Sequence, residues 1–250
     1  MDAQASPPDT AGARGPAGAA AAGDERFDDA WIIVPAFNEA GLIAHVLGEL
    51  RATFPHVAVI DDGSADATAD LARAAGAVVL RHPVNLGQGA ALQTGLDFAL
   101  RRGAARIGPF DADGQHRVDD LAELLAALEE GVCDVALGSR FLSGGDDVPR
   151  PRRLLLRAAV AFTRAMTSLR ITDAHNGLRA FTRRAASAVH IHSNRMAHAS
   201  ELLDQIARSK LPYRELPVSV RYTDYSMAKG QRSLDAFRVL TDYLVSRVFD

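Results

Sequence analysis

The chain has 250 residues, 48% of them hydrophobic, enough to bury a substantial core in a single large α/β domain. A net charge of −3 gives no global basic field, so a nucleic-acid partner is not expected. One cysteine, Cys133, excludes an internal disulfide framework; in the apolar stretch Val132 to Leu137 it reads as a small core residue of a reducing compartment.

No stretch approaches the ~18–20 unbroken apolar residues of a membrane span. The Ala/Gly run around residues 17–23 lacks the large apolar side chains of a signal peptide. The expectation is a cytoplasmic domain whose membrane contact, if any, is peripheral and on the inner face. Residues 1–29, rich in Ala, Gly and Pro, bury too little surface to offset their ordering entropy and read as a disordered tail. Residues 30–250 read as one domain, with a nucleotide and metal half at 30–140 and an acceptor half with amphipathic helices at 141–250.

In chain order, short apolar runs predict buried strands at 31–34, 57–60, 77–80, 107–110 and 133–137. Helices are predicted between them at about 40–51, 66–75, 89–101 and 118–130. This alternation implies βαβ units: an α/β fold with a mainly parallel central sheet flanked by helices, and ligands at the carboxyl ends of the strands. After about residue 140 the rhythm changes. A Gly/Asp/Pro loop at 143–151 leads to a basic helix with an apolar stripe on Leu155, Ala159, Phe162, Met166 and Leu169. Such a helix suits either an anionic membrane surface or an ordinary core-facing packing. A strand at 215–222, a loop at 223–232 and a terminal amphipathic helix follow. The uncovered apolar stripe of that last helix offers a face for a second subunit, hence a homo-oligomer.

Asp111-Ala112-Asp113-Gly114-Gln115-His116 directly follows a predicted strand. Residues two apart in extended chain point to the same side, so both carboxylates can meet one hard divalent cation. A polar turn with a capping Asp is the alternative. Asp61 and Asp62 end the second strand and suit either base and ribose donors or a turn and N-cap. Pro35-Ala36-Phe37-Asn38-Glu39 follows the first strand, where its aromatic and acid suit a base pocket or a plain βα turn.

These acidic clusters occupy successive strand ends. With VPAFNEA, IDDGSADAT, NLGQGAALQTG, DADGQH and GSRF in order, then DAHNGLRAF, HASELL, ELPVSVRY and YSMAKGQRS, the chain resembles family 2 inverting glycosyltransferases of the GT-A fold. It is most similar to the dolichyl- or polyprenyl-phosphate sugar synthase branch. The resemblance covers about Trp31 to Ser233.

It implies transfer of a hexose from a UDP- or GDP-linked donor to a lipid phosphate. Pro35, Phe37, Glu39, Ile60, Asp61 and Asp62 would line the base pocket. Asp111, Ala112, Asp113 and Gln115 would hold Mg²⁺ or Mn²⁺ and the diphosphate, with Asp111, Asp113 and Gln115 at the metal. Arg140 matches the phosphate-contacting Arg of that branch, and Arg221 and Lys229 match a late loop over the donor.

Two departures bear on the acceptor: the loop between Arg221 and Lys229 is about two residues longer than in that branch, and His175-Asn176 stands where it has Ser or Thr. A hydroxyl acceptor, as in polysaccharide or glycolipid synthesis, needs a base, for which Glu201 is the candidate. A lipid phosphate needs instead cations, which Arg140, Arg179 and Lys229 supply. The missing Glu-Asp base motif favours the phosphate. A non-catalytic nucleotide-sugar-binding module is disfavoured because both Asp111 and Asp113 are present. An NAD-linked enzyme is disfavoured because no G-x-G-x-x-G follows the first strand.

Overall fold

The computed structural model describes residues 24–142, 160, 164, 169–174, 176–194 and 198–221. After a 3₁₀ turn at Glu25–Phe27 come β1 (Ala30–Ala36), α1 (Ile43–Thr53), β2 (Val57–Asp61), α2 (Thr68–Ala74) and β3 (Val78–Arg81). Then follow α3 (Gln88–Arg101), β4 (Arg106–Pro109), α4 (Val118–Glu129) and β5 (Val135–Ser139). The later elements are β6 (Arg179–Thr182), α5 (Arg183–Ala188), α6 (His198–Arg208) and β7 (Tyr213–Pro217).

Among the described residues these strands form one seven-stranded sheet in the order β3-β2-β1-β4-β6-β5-β7. All neighbours are parallel except β6, which runs antiparallel to both β4 and β5. The register pairs Ile32 with Val57 and with Gly108, which aligns the carboxyl ends of β2, β1 and β4 side by side.

Strand periodicity divides the core between the two faces of the sheet. Ile32, Val34 and Val59 pack with Leu47 and Leu50 of α1 and with Leu121 and Leu124 of α4. Ile33 and Ile60 pack on the opposite face with Leu92 and Leu96 of α3 and with Leu202 and Ile206 of α6. Each such fully enclosed aliphatic side chain stabilises by about 1.5–3 kcal/mol, so both helical layers are tied firmly to the strands whose ends carry the acidic residues. Cys133 is buried in the first of these clusters, as its apolar setting predicts.

Three sequence expectations need correction. The last residues of the expected tail are folded: Phe27 is enclosed and meets Phe54 edge-on at 5.0 Å, while Asp24 N–H bonds Thr53 O at 3.0 Å. Phe27 anchors this stretch together with Arg106, which donates to Arg26 O at 2.6 Å and pairs with Asp29. Helix α1 begins at Ile43 rather than near residue 40, because a turn intervenes in which Leu42 and Ile43 both donate to Glu39 O. Strand β6 was not expected; four residues led by an Arg carry little apolar signal, and the strand exists because β4 and β5 both offer it an antiparallel edge. The expected basic helix lies largely outside the described residues, as do the loop at 223–232 and the terminal helix.

Candidate active site

The loops leaving β1 and β2 are stitched together by side chains. Asn38, at a left-handed φ of 54°, donates its N–H to Ser64 Oγ (2.9 Å) and accepts from Ala65 N–H (2.9 Å). Glu39 N–H bonds Thr68 Oγ1 (2.8 Å), and Ala40 N–H bonds Asp66 (3.2 Å). This frame leaves Phe37 exposed at 42%, with Pro35 and Glu39 half-buried beside it.

Asp62 is engaged by its own chain. Its carboxylate accepts from Leu86 N–H (2.9 Å) and Gly87 N–H (2.7 Å), and lies 2.7 Å from Nδ1 of His82, whose Nε2 reaches Thr94 Oγ1 at 3.0 Å. It therefore fixes the loop leading into α3. Asp61 is fully enclosed; its Oδ1 accepts from Ser64 N–H and its Oδ2 lies 3.0 Å from Arg81 Nε. Ile60 is wholly buried against α3, because strand alternation turns it to that face.

Asp111 and Asp113 follow β4. Asp111 Oδ1 accepts from Gln88 Nε2 at 3.1 Å, and its Oδ2 accepts from His116 Nε2 at 3.2 Å. Gly177 presses close enough that a Cβ there would sit 2.8 Å from Asp111 Oδ2. Burial pushes the Asp111 carboxyl up, but the His116 hydrogen bond and the charges of His116, His198 and Arg179 outweigh it and hold the pKa below its ordinary value. Asp113 goes the other way. Burial and then the Asp111 charge push it above its ordinary value, against the N–H that Gln115 donates to its Oδ1 at 3.0 Å. The charge of Glu39 adds to the upward push, which places the β1 and β4 loops in one electrostatic field.

The donor set suits a hard divalent cation. Such ions are commonly held by one or two carboxylates, with phosphate and water oxygens completing the shell. Among the described residues no cluster of three or more His, Cys, Asp or Glu forms a self-sufficient cage. A carboxylate such as Asp113, whose ionisation is opposed by burial and by the neighbouring Asp111 charge, sits where added positive charge is favoured.

The cations expected nearby behave differently from one another. Arg140 is held by Asp173, with Nε 2.7 Å from Oδ2 and Nη2 2.8 Å from Oδ1. Arg179 is buried and, among the described residues, makes no direct ion pair. Burial lowers its pKa to about 10 while Asp111 and Asp173 oppose the fall, so it stays cationic at neutral pH. Arg221 donates its backbone N–H to Gln115 O (2.8 Å), and its side chain points to Glu49, 3.6 Å away. Lys229 lies outside the described residues.

Glu201 does not stand open as a base. Its carboxylate accepts from His192 N–H (2.9 Å), Ser193 N–H (2.8 Å) and Gln205 Nε2 (3.2 Å). Sequence reading gave no role to the side chains of Gln88, Asp173 and Glu215 or to Gly177. Each lies inside one of the quoted motifs, and the signal that could have found Gln88 and Gly177 is the glycine that lets backbone approach an acidic side chain.

The sequence matches the model of the family described as Glycosyl transferase family 2 over residues 31–189. The chain belongs to glycosyl transferase family 2. A UDP-N-acetylglucosamine–dolichyl-phosphate N-acetylglucosaminyltransferase of Methanococcus voltae is 27% identical over 87% of this chain and 96% of its own length. A polyprenol monophosphomannose synthase of Mycolicibacterium smegmatis is 34% identical over 61% of each chain. Among solved structures, the glucosyl-3-phosphoglycerate synthase of Mycobacterium tuberculosis with Mn²⁺, uridine diphosphate and phosphoglyceric acid superposes with a TM-score of 0.64. That likeness, at 19% identity, covers 86% of this chain and 78% of the other, and shows the shared fold. This family 2 glycosyltransferase thus has the GT-A architecture that the resemblance implied, with its acidic strand ends aligned as expected.

Proposed function

We propose that this glycosyltransferase moves a hexose from a nucleotide-diphosphate sugar to a polyprenyl phosphate, with inversion. Glu201 carries the acceptor reading: its two oxygens are engaged by backbone N–H groups, so it is not offered to a hydroxyl. A lipid phosphate is already an anion near neutral pH and needs positive charge rather than a base. Buried, cationic Arg179 beside Asp111 supplies such charge. The two relatives, a dolichyl-phosphate N-acetylglucosaminyltransferase and a polyprenol monophosphomannose synthase, support the same reading.

In this reading Asp111 and Asp113, with Gln115 beside them, hold Mg²⁺ or Mn²⁺. A divalent cation bound there supplies charge neutralisation for the departing diphosphate. Gln88 and His116 fix the direction of the Asp111 oxygens. Exposed Phe37 and neighbouring Glu39 face the donor base, while Asp62 keeps the loop into α3 in place. An acceptor phosphate oxygen attacks the anomeric carbon as the bond to the diphosphate breaks, and the nucleoside diphosphate leaves with the electron pair. In this reading Arg140 and Arg221 take the phosphate-facing roles that the resemblance gives them, while Lys229, given the same role, lies outside the described residues. Among the described residues no helix is long and apolar enough to cross a membrane, and we place the enzyme's contact with its lipid acceptor at the membrane surface.

The test is incorporation of labelled sugar from UDP- and GDP-linked donors into the organic phase, with polyprenyl phosphate compared with polyprenol. Labelled lipid from the phosphate alone supports the proposal. Labelled lipid from the free alcohol, or transfer only to water-soluble sugars, overturns it.

A further inference from the structure

Residues 190–194 run between α3 and α6 and are bound to both. Toward α6, His192 and Ser193 donate their N–H groups to Glu201, and His190 N–H donates to Gln205 Oε1 at 2.7 Å. Toward α3, Ile191 N–H donates to Gln93 Oε1 at 2.7 Å, and Asn194 O accepts from Gly89 N–H at 3.0 Å. The approach at Gly89 leaves no room for a side chain: a Cβ there would lie 2.0 Å from Ser193 O and 3.1 Å from the Cβ of His198. Gln88, the residue before Gly89, is the one that donates to Asp111.

These contacts form one continuous path from Glu201 through the segment to the first turn of α3 and on to Asp111. We infer that Glu201 is a positioning residue for Asp111, setting through residues 190–194 where Gln88 presents its amide to that carboxylate. The inference rests on the reading of Asp111 as a cation-holding residue. It converts the acid expected to act on the acceptor into one that acts on the donor side, without touching either substrate. Glu201→Gln keeps the size of the side chain but has one acceptor oxygen where two are used, so one N–H of the segment loses its partner. The segment and the first turn of α3 then shift together, and the Gln88 amide with them. Groups that orient a metal-holding carboxylate typically affect metal affinity by roughly 10–100-fold.

The experiment measures Mn²⁺ binding in the presence of UDP or GDP, by loss of the free-ion resonance signal. It is run on the full chain, Asp111→Asn, Gln88→Ala, Glu201→Gln and the double variant, with melting temperatures recorded. Glu201→Gln and Gln88→Ala each weaken Mn²⁺ binding roughly 10-fold, and the double variant is no weaker than the worse single one, because both changes cut the same path. Turnover of Glu201→Gln recovers at saturating Mn²⁺. Gly89→Ala, which displaces the segment from the α3 side, gives the same loss should Glu201→Gln fold poorly. Multiplying losses in the double variant, or Mn²⁺ affinity unchanged in Glu201→Gln with turnover down about 10²-fold or more as for a lost general base, overturns the inference. Binding that Asp111→Asn leaves untouched overturns the metal reading itself, whatever Glu201→Gln does.

Discussion

Asp173 grips Arg140 through two near-parallel hydrogen bonds at 2.7 and 2.8 Å, and its carboxylate is completely shielded from solvent. Behind the pair, Glu215 of β7 accepts from Thr172 N–H (2.8 Å), Thr172 Oγ1 (3.1 Å) and Asp173 N–H (3.2 Å). A strand residue thus fixes a loop, and the loop fixes an arginine at the end of β5. Removing the acid from a buried pair strands the other charge, at a cost of about 3–5 kcal/mol. Asp173→Ala should lower the unfolding free energy by that amount in urea titration. Glu215→Gln should lose less, about 1 kcal/mol, because the amide keeps one acceptor oxygen for the Thr172 and Asp173 donors.

Asp113 presents the reverse case. Its folded pKa is raised, so the folded state binds its proton more tightly than the unfolded chain does. The stability tied to that proton is present below the unfolded value and is lost as pH rises through the folded value. In metal-free protein at neutral pH, Asp113→Asn should therefore be more stable than the parent by about 1 kcal/mol, a size common for relieved strain at functional sites. The gap should close on acidification below about pH 4. Turnover should vanish in the same variant. Thermal melts across pH beside a turnover assay check both halves.

Gly177→Ala tests the crowding around Asp111. The new methyl would lie 2.8 Å from Asp111 Oδ2 and 3.5 Å from His116 Nε2, so the carboxylate must turn. Nucleotide-dependent Mn²⁺ affinity should fall roughly 10-fold with little change in melting temperature.

Asp62→Ala removes the acceptor used by Leu86 N–H, Gly87 N–H and His82. Donors left unsatisfied cost about 1–3 kcal/mol each when buried. Because Leu86 is exposed and Gly87 half-buried, the fold should lose about 1–2 kcal/mol, and hydrogen exchange at the Leu86 and Gly87 amides should accelerate well beyond that of α3.

The parallel half of the sheet was legible because its strands are apolar runs punctuated by acids and glycines. Residues 57–61 announce both a buried strand and its end. The site's acidic outline was legible for the same reason. What stayed hidden was which carboxylates face outward. Asp61, Asp62 and Glu201 look as available in sequence as Asp111 and Asp113, yet all three satisfy neighbouring backbone or basic side chains. That sorting depends on backbone N–H groups brought in from 24 or 25 residues away, as for Asp62, which no local pattern encodes. Strand β6 was hidden likewise, since its stability comes from two neighbours rather than from its own residues.

The most direct measurement is release of nucleoside diphosphate from UDP- and GDP-sugars, with Mn²⁺ or Mg²⁺, with and without polyprenyl phosphate in detergent, for the parent chain and Asp113→Ala. The expected result is release from one class of donor that requires the lipid phosphate and the metal, and disappears in Asp113→Ala. Release that proceeds equally without lipid phosphate, or that survives in Asp113→Ala, would contradict transfer to a lipid phosphate from a metal-held donor.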